Sequence, residues 1–163
     1  TLNDGLTKGL ERLLDKNIQI IWQCGSYSYE KLSEELKDEL TDSVKLMPFL
    51  ERMDYAYAAA DFIVARAGAG TISELSVVGK PVVLVPSPNV SDDHQTKNAM
   101  SLVNNDAAEI IKESDLTSEA LINTLDTLML DQKFRNVMAE NAKKMGQPRA
   151  AENLYDVLKS VSK

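Results

Sequence analysis

Residues 66–74, which read RAGAGTISE, have the residue types of an anion-binding turn between a strand and a helix. The apolar run 60–65 predicts a short buried strand, and Gly68 and Gly70 let a ligand approach the backbone closely because they lack a Cβ atom. We predict a helix that begins near Thr71, with its first N–H groups unpaired and partially positive. A phosphate is the expected occupant, although turns of small residues also occur where a strand and a helix only pack tightly.

Glu74 has two interpretations. In the first, residues 71–74 form a capping box, and the Glu74 carboxylate only satisfies a backbone N–H at the helix start. In the second, the ionised carboxylate accepts hydrogen bonds from ligand hydroxyls. The sequence pattern by itself favours capping.

A second group of polar residues opens the next predicted helix. The spacing of Gln95 and Asn98, and of His94 and Asn98, places these side chains on one side of that helix. Amides offer both donors and acceptors to sugar hydroxyls, although the pattern by itself favours an ordinary exposed face. Asp92 and Asp93 lie beside the only histidine, but we expect them to serve as caps and helix-dipole partners and therefore predict no metal.

Length and composition indicate one soluble domain. The 163 residues, of which 44% are hydrophobic, suffice for a single core. A net charge of −7 and a sequence pI near 4.8 argue against nucleic acid as a partner, because such binding needs clustered Lys and Arg. Cys24 is the only cysteine, which excludes an intrachain disulfide and fits a reducing, cytoplasmic setting. No apolar run approaches the roughly 20 residues needed to span a bilayer.

Apolar strand-like runs alternate with amphipathic helical runs, which predicts an α/β fold with a Rossmann-like parallel sheet flanked by helices. We expect one domain over residues 1–163, with Gly79 as a helix C-cap. The predicted strands are 18–23, 44–47, 62–65, 81–86 and 108–111. The predicted helices are 3–16, 29–39, 51–59, 71–78, 93–104, 118–130, 132–145 and 149–161.

Three segments together resemble the C-terminal half of the MurG family, bacterial N-acetylglucosaminyltransferases of the two-domain GT-B fold. They are the turn 66–74, the Gly79-Lys80-Pro81 entry into an apolar strand, and the run 94–99, which reads HQTKNA. The resemblance covers nearly the whole chain. It implies transfer of N-acetylglucosamine from UDP to the lipid-linked muramyl-pentapeptide of peptidoglycan biosynthesis, at the cytoplasmic membrane face and without a metal or other cofactor.

The resemblance also implies a role for each candidate residue. The diphosphate would be bound by the backbone amides of Ala69, Gly70 and Thr71, and the ribose by Glu74. Uracil would lie in an apolar slot at Phe49, Leu50 and Met53, read by the Leu50 backbone, unless these residues are plain core packing. The full substrate-binding set is Phe49, Leu50, Met53, Ala69, Gly70, Thr71, Ile72, Ser73, Glu74, His94, Gln95 and Asn98. Cys24 departs from the family, which usually has a hydroxyl residue there facing the phosphates.

The chain begins with a predicted helix, with no methionine and no strand before it, so we expect a piece of a longer enzyme that lacks the first strand of its sheet. The implied partner is an N-terminal acceptor domain, which would carry the lipid-linked acceptor and the general base. No catalytic residue is therefore assigned here, and we expect the piece alone to be inactive. The alternatives are a non-catalytic donor-binding subunit of a split transferase, another UDP-sugar transferase, and a mononucleotide binder that shares only the fold.

Overall fold

The computed structural model describes residues 1–162, with every side chain except that of Ser91. Its strands are β1 Ile20–Gln23, β2 Val44–Met47, β3 Ile63–Ala65, β4 Val82–Leu84 and β5 Glu109–Ile110. Its α-helices are α1 Leu2–Leu14, α2 Ser26–Glu35, α3 Met53–Ala59, α4 Ala69–Val78, α5 His94–Val103, α6 Ser118–Leu130, α7 Gln132–Met145 and α8 Ala150–Val161. Short 3-10 helices lie at Ser91–Asp93 and Glu113–Asp115.

The strands form a parallel sheet that is divided into two parts. One part pairs β1 with β2, and in the other part β4 lies between β3 and β5. Ile20 of β1 and Val64 of β3 pack against the same hydrophobic cluster, so the two parts share a core although no described residue forms a strand that joins them. The predicted α/β fold is confirmed.

β4 is the buried centre of its sheet, as its apolar run predicts. Val82, Val83 and Leu84 are completely buried, because strands pair on both sides and helices cover both faces. The strand is shorter than the predicted 81–86 because the prolines at both ends of that run have no N–H to donate. Single hydrogen bonds, to Pro81 O and from Val85 N–H, extend its pairing with β3.

Several helices begin earlier or later than predicted. α2 begins at Ser26 instead of residue 29, because Gly25 adopts φ +83° and turns the chain into the helix directly after β1. α2 also ends at Glu35, before the predicted residue 39, and α3 begins at Met53 instead of residue 51. These shifts do not change the order of the elements.

The C-terminal end of α4 packs closely on α7. Gly79 is the predicted C-cap, in the left-handed conformation, and its N–H donates to Leu75 O. Gly146 ends α7 against α4, where an added Cβ would lie 2.8 Å from Ser76 O. α8 follows after this break, and all of its residues from Ala150 onward are exposed. None of the helices within residues 1–162 combines the length and apolar character needed to cross a membrane.

Candidate functional site

The start of α4 presents three free backbone donors at the end of β3. The helix begins at Ala69, two residues before the predicted start, because Gly68 is its N-cap with extended backbone and no side-chain cap. Its first internal bond runs from Ile72 N–H to Gly68 O at 2.9 Å. The N–H groups of Ala69, Gly70 and Thr71 precede that bond and have no partner among the described residues. They are the same three amides to which the family resemblance assigns the diphosphate.

The space beside this turn is open. Apart from the neighbouring residues and the backbone of its own helix, a Cβ at Gly70 would meet no protein atom within 4 Å, and a Cβ at Gly68 would meet only Thr71 Oγ1, at 3.6 Å. By contrast, a Cβ at Gly79 would lie 2.1 Å from the Lys143 side chain. Tight strand–helix packing therefore does not explain Gly70, and the open space leaves its backbone accessible to close approach.

Gln95 and Asn98 hold the peptide just before this turn. Gln95 Oε1 accepts hydrogen bonds from Ala67 N–H at 3.3 Å and from Ser87 N–H at 2.9 Å. Asn98 Nδ2 donates to Ala67 O at 3.0 Å. Their common contact with Ala67 confirms that the two side chains lie on one side of α5. Gln95 Nε2 and Asn98 Oδ1, a donor and an acceptor, are left without a partner among the described residues.

Arg66 joins the carboxyl ends of three strands beside the turn, a role that the sequence does not reveal. Its guanidinium donates to Val85 O at 3.1 Å and makes a two-pronged ion pair with Glu113, with both N–O distances 3.0 Å. Hydrogen bonding from Arg66 lowers the pKa of Glu113 below its ordinary value of 4.5, against the opposing effect of burial. Since the guanidinium is engaged in this way, the unpaired donors at the turn are the backbone amides.

The capping interpretation of Glu74 is wrong. Because α4 begins at Ala69, Glu74 lies beyond the first turn, where every N–H already has an intrahelical acceptor. The Glu74 Oε2 atom instead accepts a hydrogen bond from the Tyr57 hydroxyl at 3.1 Å. Both residues line an open groove of about 1030 Å³, together with Met53, Ile72 and Ser73; the groove follows α4 and is also lined by α3, α5 and the turn between α7 and α8. Ser73 Oγ donates to Ala69 O within α4.

The three base-slot candidates lie on the loop after β2 and at the start of α3. Phe49 is 66% exposed, so it is not a core residue, while Met53 and Leu50 are half-buried. Leu50 N–H already donates to Gln23 Oε1 at 3.0 Å, so a base read by this amide would have to displace the Gln23 side chain.

His94 begins α5 and is exposed beside two strained aspartates. Asp92 and Asp93 both have φ +53°, and the His94 Nε2–Asp92 Oδ2 distance is 3.8 Å. Asp93 occupies the N-cap position, but its side chain makes no capping hydrogen bond, contrary to the predicted capping role. Over the described part of the chain, no three His, Cys, Asp or Glu side chains group as metal ligands.

Cys24 is buried at the end of β1, as expected for a small apolar residue. Its thiol donates to Met47 O at 3.4 Å, and burial raises its pKa. The thiol is thus directed to the backbone of the next strand.

The sequence of the chain is similar to those of known proteins. A model of the glycosyltransferase family 28 C-terminal domain matches residues 1–154. A Pediococcus pentosaceus protein named UDP-N-acetylglucosamine--N-acetylmuramyl-(pentapeptide) pyrophosphoryl-undecaprenol N-acetylglucosamine transferase is 61% identical over 155 residues, covering 94% of this chain and 43% of the relative. A Parabacteroides distasonis protein of the same name is 41% identical over 164 residues, covering 100% of this chain and 44% of the relative.

Solved structures agree with these relatives. The crystal structure of Acinetobacter baumannii MurG aligns with a TM-score of 0.79 and 33% identity, over 97% of this chain and 46% of that one. A Staphylococcus aureus MnaA–UDP co-structure aligns with a TM-score of 0.71 at 18% identity, over 95% of this chain and 40% of that one, a likeness of fold alone. The chain spans less than half the length of each of these proteins.

Proposed function

This chain belongs to the glycosyltransferase family 28 C-terminal domain family, and we propose that it binds UDP-N-acetylglucosamine as the donor half of an N-acetylglucosaminyltransferase. The observation that carries the proposal is the set of three unpaired amides at the start of α4, with open space beside Gly70. The names of the relatives support the choice of donor.

The diphosphate is placed on the amides of Ala69, Gly70 and Thr71. Backbone N–H groups and the partial positive charge of the helix end favour an anion without any lysine or arginine. Such donors are fixed before the reaction begins, so they can also stabilise the charge that develops on the diphosphate as the sugar leaves. This is the part of catalysis that we assign to the chain, and it needs no metal among these residues.

The rest of the donor extends to either side of the turn. Glu74 accepts hydrogen bonds from the ribose hydroxyls, and the base rests against Phe49, Leu50 and Met53 on the α3 side. The sugar lies on the α5 side, where Gln95 Nε2 and Asn98 Oδ1 offer a donor and an acceptor, with exposed His94 at the rim. Ile72 and Ser73 line the groove beside the ribose position.

We assign the acceptor to the other half of the enzyme. The chain spans 43% to 46% of the transferase and MurG relatives, which leaves a second domain of comparable size to bind the lipid-linked muramyl-pentapeptide at the cytoplasmic membrane face. Transfer requires both substrates to be held together, so residues 1–163 alone bind the donor but do not transfer the sugar.

A thermal shift measurement tests the proposal. UDP-N-acetylglucosamine at about 100 times its Kd should raise the Tm of the chain by about 5 °C, because it binds only the folded state. Glu74→Ala should remove at least half of this shift at the same ligand concentration. Glu140→Ala, which removes another exposed helical glutamate on α7, is the matched control and should leave the shift unchanged.

The same assay distinguishes the alternatives. NAD should give no shift, whereas a shift with NAD and none with UDP would replace the proposal with a mononucleotide binder that shares only the fold. A shift with UDP-N-acetylglucosamine that persists undiminished in Glu74→Ala would remove Glu74 from the site.

A further inference from the structure

Resting on the proposed function, we propose that Tyr57 is a positioning residue that holds the Glu74 carboxylate toward α3, and that it thereby sets the affinity for the ribose of the nucleotide. Tyr57 is absent from the binding residues that the sequence suggests. Its contact with Glu74 joins α3 to α4 across 17 positions of the chain.

Tyr57 is held in place by core packing, whereas the exposed Glu74 side chain has no such packing to hold it. The Tyr57 ring packs against the hydrophobic cluster that contains Leu75 and Leu102, so its hydroxyl is anchored by the core. Glu74 is exposed and would otherwise exchange among several rotamers, which a ligand would have to restrict at an entropic cost. The 3.1 Å hydrogen bond to Oε2 restricts it beforehand.

The Tyr57–Glu74 hydrogen bond holds the carboxylate where it could reach a ribose. Met53 and Tyr57 are four residues apart on α3, so they share one face of that helix, and both line the groove beside Glu74. A base that rests on Met53 therefore brings its ribose to the carboxylate that Tyr57 holds. The Tyr57 bond uses one lone pair of Oε2, so Oε1 and the second lone pair of Oε2 can accept from the 2′ and 3′ hydroxyls.

Tyr57 also stays a donor under working conditions. Burial, followed by the hydrogen bond to Glu74, raises the pKa of Tyr57 to about 12. The hydroxyl therefore keeps its proton throughout the physiological pH range.

Calorimetric titration of the 163-residue chain with UDP and with 2′,3′-dideoxy-UDP tests the inference. Tyr57→Phe should weaken UDP binding about fivefold, because a hydrogen bond to a charged group is lost. Binding of 2′,3′-dideoxy-UDP, which has no ribose hydroxyls to offer, should change less than about twofold. The ratio of the two affinities is a readout that a merely structural role of Tyr57 would not move.

Two variants complete the design. Tyr55→Phe removes a hydroxyl from the same helix at an exposed position and should leave both affinities unchanged. Glu74→Gln should weaken UDP binding, and adding Tyr57→Phe to it should cost less than in the unmodified chain, because the two residues act as one unit.

The outcomes distinguish a failure of the proposed function from a failure of the role proposed for Tyr57. If the unmodified chain does not bind UDP, the proposed function fails and the inference fails with it. If UDP binds and Tyr57→Phe weakens both nucleotides equally or neither of them, the proposed function stands and the role of Tyr57 is refuted.

Discussion

Gly70 lies at the second position of α4, where a side chain would favour the helix but would hinder the proposed ligand. A Cβ there would contact no protein atom outside its own helix turn, and Ala is the better helix former. Gly70→Ala should therefore raise the free energy of unfolding by about 0.5–1 kcal/mol. The same Cβ would occupy the space assigned to the diphosphate, so UDP binding should weaken about tenfold or more. Urea denaturation and calorimetric titration measure the two effects.

Gly79, at the other end of α4, is the control for this substitution. Its φ is +61° and an added Cβ would overlap the Lys143 side chain, so Gly79→Ala should destabilise the fold by about 1 kcal/mol or more. Loss of stability in Gly70→Ala would show that Gly70 serves packing, and unchanged UDP affinity would show that no phosphate lies against it.

For single residues, local features can be predicted from the sequence, but contacts between distant residues cannot. The turn 66–74 predicts a helix start with free amides, because a helix start is local information, but the predicted start at Thr71 is two residues late and the choice of Ala69, Gly70 and Thr71 depended on the family resemblance. The hydrogen-bonding partners of Glu74, Gln95 and Arg66 cannot be predicted from local sequence. They lie 17, 28 and 47 positions away in the chain and depend on how the helices and loops pack. The i to i+4 spacing of Met53 and Tyr57 is the one signal that could have drawn attention to Tyr57.

Among the elements, α8 combines an apolar composition with exposure. Leu154 and Leu158 are 60% and 55% exposed, whereas Leu128 of α6 is completely buried. Leu154→Ala and Leu158→Ala should each cost about 0.5 kcal/mol or less in this chain. Leu128→Ala, the same substitution in the core, should cost about 2–5 kcal/mol because it leaves a cavity. Urea denaturation of the three variants checks this, and equal costs would mean that α8 is packed in solution.

The elements themselves follow from sequence better than their ends do. The unbroken apolar run of β4 predicts a buried central strand, and Gly79 predicts where α4 stops. The starts of α2 and α4 are missed by three and two residues, because in both cases a glycine enters the helix without a capping side chain. At α4 this small error decides the role of Glu74, since a helix that began at Thr71 would have made it a cap.

The molecule as a whole is acidic, yet the diphosphate that it is proposed to bind is also negatively charged. The net charge of −7 opposes this only weakly, because charges beyond about 8 Å are screened at physiological ionic strength. The amides at the start of α4 act at hydrogen-bond distance, where they outweigh distant carboxylates. The composition therefore argues against a polyanion as partner but not against a diphosphate that one helix end can hold.

The most direct test of this account is an amide NMR titration of the ¹⁵N-labelled chain with UDP, with uridine as the control that lacks phosphates. If the diphosphate is bound at the start of α4, UDP should shift the amide resonances of Ala69, Gly70 and Thr71 more than any others, and uridine should leave these three unchanged. This placement of the diphosphate would be contradicted if UDP bound while these three amides stayed in place and the largest changes occurred elsewhere in the chain.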